Sequence, residues 1–134
     1  VGFGQSTLED DLVTVARAQD RVVRAESRPE AGSFYRSDHF PLAKRGVPMF
    51  YLKHGTDWIR GGKAAGAAAV DEYYSNPYHQ PSDEYRDDWD WSGLVQDAAL
   101  YYRLGRSLAM SRDWPNWYKG DEFRAARDQS RGAK

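Results

Sequence analysis

Ser37-Asp38-His39-Phe40-Pro41-Leu42-Ala43-Lys44-Arg45-Gly46-Val47-Pro48-Met49-Phe50-Tyr51-Leu52 reads as a short helix followed by a buried strand. Ser37 stands where a cap belongs, Pro41 falls in the first turn, where a missing N–H is tolerated, and Gly46 can close the helix in a left-handed conformation. The spacing predicts a helix from Ser37 through Lys44. Val47 to Leu52 is then continuously apolar, the pattern of a strand covered on both faces, and Pro48 at its second residue costs little. Helix followed by buried strand is an α/β signature. The expected fold is therefore α/β, a mixed and mostly parallel sheet flanked by helices.

Outward from that stretch, Ser6 and Glu9 fit a capping box, and Leu8, Leu12, Val15 and Ala16 share one helical face, predicting a helix over about Ser6 to Gln19. Arg21 to Ala25 is short and β-branched before Ser27-Arg28-Pro29, which suggests a brief strand and a turn. His54 to Tyr74 loses periodicity, and Gly61-Gly62-Lys63-Ala64-Ala65-Gly66 reads as a mobile excursion, either functional or a variable surface insertion. Asp90 or Ser92 begins the longest predicted helix, with Leu94, Ala98, Tyr101, Leu104 and Leu108 at helical spacing, ending near Met110 and packing on the sheet. Asp121 caps a last short helix through Arg127, and Ser130 to Lys134 is expected to fray.

A chain of 134 residues is one domain at most and long enough to bury a core. The net charge of -1, with Lys and Arg dispersed, offers no basic stripe for a nucleic-acid backbone. No apolar run approaches the roughly 20 residues that cross a bilayer. Cysteine is absent, which excludes disulfides and thiol chemistry. Val1-Gly2-Phe3-Gly4-Gln5 has no initiator Met and reads like a chain cut just after a strand. Five Trp and nine Tyr are many for this length and serve either packing or a ring-lined pocket, which only their clustering in space can separate.

The chemistry concentrates in Asn76-Pro77-Tyr78-His79-Gln80-Pro81-Ser82-Asp83-Glu84. A neutral imidazole is a good zinc ligand, and the two prolines restrict the backbone that aims it. Asp38 at a helix start is stabilised by unpaired N–H groups whether or not it does anything further. Asp83-Glu84 and Asp87-Asp88-Trp89-Asp90 lack an EF-hand glycine and read as solvated or capping carboxylates rather than a calcium site.

Arg36-Ser37-Asp38-His39, Gly46-Val47-Pro48 and Tyr78-His79-Gln80, in that order, resemble the di-zinc exopeptidases of peptidase family M28, which include aminopeptidases, glutamate carboxypeptidases and glutaminyl cyclases. The likeness runs from about Val1 to Trp114-Pro115-Asn116-Trp117. It implies that residues 1–134 are the C-terminal part of one zinc peptidase catalytic domain, the last portion of its sheet. The family's His-x-Asp and Glu-Glu pairs have no counterpart here, so the general-base Glu and most ligands of the two zinc ions are expected upstream, and no catalytic residue on this chain.

By the same resemblance His79 is the metal ligand. Ser37 and Asp38 stand beside the metals and orient ligands or substrate, and Tyr35 and Tyr78 border the pocket. Some relatives place an oxyanion-binding Tyr where this chain has Phe34, which carries no hydroxyl. His39 matches the pattern with a packing role, and His54 is assigned none. The implied activity is zinc-dependent exopeptidase, foremost an aminopeptidase, with the isolated chain inactive. The alternatives are a glutaminyl cyclase, a carboxypeptidase, or a non-catalytic peptide-binding relative. The implied partners are a peptide substrate and the upstream part of the same domain, with no nucleic acid and no membrane span. The resemblance also favours export to the periplasm or medium.

Overall fold

The computed structural model describes residues 1–132, and it is built of helices. The predicted tail of Ser130 to Lys134 is helical as far as Gly132; Ala133 and Lys134 lie outside the described residues. Five α-helices follow one another: α1 Leu8–Arg17, α2 Phe40–Ala43, α3 Gly62–Ser75, α4 Ser92–Met110 and α5 Arg124–Gly132, with 3-10 turns at Pro29–Ala31 and Ser33–Arg36. The chain divides into two units, one of Val1–Leu52 with Gln96–Lys134 and one of Lys53–Val95.

The expected mixed, mostly parallel sheet is not there. Among the described residues the only β pairings are two isolated bridges, Ser6 with Trp117 and Trp58 with Gly62. Val47–Leu52 carries neither helix nor strand, because a strand exists only where a neighbour offers its own N–H and C=O groups in a ladder. Here the neighbour is Val1 alone, whose ammonium donates to the Tyr51 carbonyl at 2.9 Å while its carbonyl accepts from Tyr51 N–H at 3.1 Å. Val47 and Tyr51 are exposed where Pro48 is buried, so the segment is not covered on both faces. Arg21 to Ala25 likewise forms no strand.

In the first unit, helix packing supplies what the sheet was expected to supply. Leu8, Leu12 and Ala16 recur at four-residue spacing and make one buried stripe on α1. Leu12 and Ala16 meet Leu100 and Leu104 of α4, with Val15, Val23, Phe50, Leu52 and Leu108 around them. Arg21 pairs with Asp97 across the same seam at 2.5 Å. A second core holds Phe34, Ala43, Trp117 and Phe123, flanked by Val1, Phe40 and Met49. Each fully buried large apolar side chain contributes about 1.5–3 kcal/mol.

α4 and α5 follow side-chain caps, whereas α1, α2 and α3 begin with no side-chain cap bond among the described residues. Asp90 accepts from the N–H of Ser92 at 2.9 Å, opening α4 at the predicted residue, and Asp121 accepts from Phe123 N–H at 2.9 Å before α5. At α1 the capping box does not close: Thr7 is the capping residue, and Glu9 takes the N–H of Gly4 instead of that of Ser6. Ser6 is buried and bridged to Trp117, which removes it from the helix end.

The second unit is a helix with a tied turn. α3 occupies the stretch read as an excursion, because Ala64, Ala65, Ala67, Ala68 and Ala69 favour helix by propensity without apolar periodicity. Gly66 is its one buried residue, set so close to Thr56 that an added Cβ would lie 2.0 Å from that carbonyl oxygen. Among the described residues no helix is long and apolar enough to cross a membrane.

Candidate metallopeptidase site

The Ser37–His39 corner lies in the first unit, between the Ser33–Arg36 turn and α2. Ser37 is extended and its hydroxyl donates back to the Ser33 carbonyl at 2.6 Å, so it fastens the preceding turn rather than capping the helix. His39 takes the N-cap position of α2, and the predicted start at Ser37 moves to Phe40. Asp38 is exposed beside it.

The His39 ring stacks edge-on against Phe34 with centroids 4.6 Å apart and tilts toward Tyr51 at 6.2 Å. Its Nε2 is buried with no hydrogen-bond partner among the described residues. Burial pulls its pKa below the usual imidazole value of 6.5, the amino-terminal charge adds to that, and Asp38 opposes it. Phe34 is a core residue, four per cent exposed. Tyr35 does face outward, and its hydroxyl donates to Glu122 at 2.6 Å, which raises its pKa.

His79 lies in the second unit, on the turn that follows α3. It is exposed and left-handed, with φ 60°, an uncommon backbone for a residue with a side chain. Three backbone bonds build the turn: Tyr78 N–H to Tyr73, Gln80 N–H to Pro77 and Asp83 N–H to Gln80, at 3.0, 2.8 and 3.0 Å. The Tyr73 hydroxyl closes it with a 2.9 Å bond to the Asp83 carboxylate, which raises the tyrosine pKa. Tyr78 lies flat on the imidazole with centroids 3.8 Å apart and planes 20° apart, and Tyr73 and Tyr74 pack edge-on to Tyr78. His54 is exposed elsewhere in that unit.

Thus Tyr78 and His79 stand together, as do Tyr35, Ser37, Asp38 and His39. Sequence reasoning missed Tyr73 and Glu122; each is an ordinary surface residue until folding brings it to a partner ten and 87 residues away. The rings sort into the second core, the Tyr73–Tyr74–Tyr78 group and an exposed Tyr85–Trp89–Trp91 group, so they serve both packing and surface.

Tight zinc binding takes about three or four donors converging at bonding distance. No group of three or more His, Asp or Glu side chains among the described residues meets that condition. These residues do not by themselves fit a zinc centre, and His79 offers a single imidazole.

A helix-packed chain with an aimed histidine on a tied turn falls within the metallopeptidases once its sequence is compared with known families. The family model Peptidase family M28 matches residues 2–103, well over half the chain. The chain belongs to peptidase family M28, whose members are typically zinc-dependent, and the family implies peptidase, that is hydrolase, activity. No curated protein and no solved structure matches it.

Proposed function

We propose that the peptidase is an exopeptidase of the aminopeptidase type, and that His79 is this chain's ligand to a two-zinc centre. The observation that carries the reading is His79 itself. A left-handed, solvent-facing histidine costs backbone energy, and a turn tied by Tyr73 and Asp83 maintains it. Stacking on Tyr78 fixes the ring plane, which spares the entropy of ordering an imidazole when a metal binds. The other donors come from polypeptide outside these 134 residues. The bound zinc would supply Lewis acidity toward a peptide carbonyl. Ser37, Asp38 and Tyr35, all in the first unit, are proposed by themselves as groups that orient substrate.

The test uses the protein that carries this chain, loaded with zinc, against aminoacyl anilides with free and blocked amino groups. Turnover of the free substrates and its loss on blocking are expected; equal turnover of both would remove the aminopeptidase assignment. His79→Ala should lower zinc occupancy and cut turnover about 100-fold or more, as loss of a ligand does, with helical content retained. Full zinc occupancy in that variant would show that His79 is no ligand.

A further inference from the structure

The family match ends at residue 103, yet the residues that hold the Ser37–His39 corner in place come from beyond it. Trp117 is fully buried, and its indole N–H donates to the Gly46 carbonyl at the end of α2, at 2.9 Å. Phe123 packs on Trp117, Phe34 and Phe40 with centroids 5.0, 5.9 and 6.1 Å away. α5 approaches Gly46 so closely that a Cβ there would sit 2.4 Å from the Arg127 nitrogen, and φ 83° excludes other residues as well.

The C-terminal segment is itself fastened. Arg124 donates to the Trp117 carbonyl at 2.8 Å, Arg127 to the Pro115 carbonyl at 3.0 Å, and Asp121 takes the Phe123 N–H. From this base Glu122 accepts the Tyr35 hydroxyl at 2.6 Å, a bond to a charged group and so among the stronger ones. Tyr35 stands two residues before Ser37, and its ring meets Phe40 edge-on at 5.3 Å. Phe34, held by Phe123 on one side, carries His39 on the other at 4.6 Å. Two routes therefore run from the C-terminal segment into the corner, one through rings and one through the Tyr35–Glu122 bond.

We propose that residues 114–127 form a positioning element for the Ser37–Asp38–His39 corner, with the Tyr35–Glu122 hydrogen bond as its latch. That the corner then serves peptide hydrolysis rests on the function proposed above; that it is held by the latch does not. Tyr35 and Glu122 are positioning residues in this scheme.

Amide exchange on the whole protein reads the latch directly. In Tyr35→Phe and in Glu122→Ala, exchange at Phe40, Ala43 and Lys44 should quicken about tenfold, the scale of one charged hydrogen bond partly screened by water. The double variant should be no faster than either single, Glu122→Gln should recover part of the loss, and Leu12 and Ala16 of α1 should not change. In a hydrolysing background Glu122→Ala should lower kcat about tenfold with zinc content and KM held. Unchanged corner exchange, additive effects or equal acceleration in α1 would each overturn the latch, and an unchanged kcat would overturn its role in hydrolysis. A wild-type protein that hydrolyses nothing would instead defeat the peptidase specificity, and the exchange data would still decide the latch.

Discussion

His79 and His39 show how differently two imidazoles can be used in one short chain. His79 bears a left-handed backbone, which costs an L-residue roughly 1–2 kcal/mol. Replacing it by glycine should relieve that cost where alanine cannot, so His79→Gly should exceed His79→Ala in urea-unfolding stability by roughly 1 kcal/mol. Equal stabilities would mean the turn adopts another backbone in solution. The Tyr-His-Gln spelling marks the residue in sequence; the left-handed backbone and the Tyr78 stack were not legible, since each is a feature of the folded turn and not of residue identity.

His39 is instead a half-buried ring with its Nε2 turned away from water. Its folded pKa lies below 6.5 because burial disfavours the imidazolium, with the amino-terminal charge in the same direction and Asp38 against it. The unfolded chain therefore binds the proton more readily. This contribution is fully present above pH 6.5 and is lost as pH falls from there toward the lowered folded value. The melting temperature should drop through that window in wild type and drop less in His39→Gln. An identical pH slope in the two proteins would show that the ring is solvated.

At the scale of elements, α1 and α4 were legible because their buried leucines recur every four residues, and the Asp90 and Asp121 caps mark two starts. α3 was not, because its helix rests on alanine propensity and its small side chains leave no stripe to read. The capping box at Ser6 failed because a bridge to Trp117 claimed that residue, a competition 111 residues away and invisible locally. Glycines separate local from tertiary causes in the same way. Gly105, in α4, has open space around its missing Cβ, so Gly105→Ala should stabilise by roughly 0.5–1 kcal/mol in thermal or urea unfolding. Gly66→Ala in α3 should destabilise despite the same gain in propensity, since Thr56 occupies the volume. Were both substitutions stabilising, the close approach of Thr56 would be absent in solution.

For the molecule as a whole, burial is distributed unevenly between the units. The first unit holds both hydrophobic cores, whereas in the second unit Gly66 is the one buried residue of α3, and most of the tyrosines and tryptophans are exposed. Helices with little buried apolar area open at low free energy. Amides of α3 should thus exchange with solvent at least about tenfold faster than those of α1 around Leu12 and Ala16. Comparable protection in both would show that α3 is covered by something beyond its own unit. The single imidazole also sets an expectation for this polypeptide alone: zinc should bind weakly, and calorimetry showing two tight sites would overturn the ligand assignment.

What the sequence determined by itself was local or spelled out: the amphipathic stripes of α1 and α4, the caps at Asp90 and Asp121, and the ordered motifs that mark the peptidase family. Those signals depend on residues within a turn or two of one another, or on residue identity alone. Tertiary structure decided the rest. Val47–Leu52 has the composition of a strand, but a strand is a relation between two backbones, and only Val1 comes to meet it. Packing likewise placed Phe34 in the core and tied Tyr35 to Glu122, because what a ring or hydroxyl touches is set by segments distant in the chain.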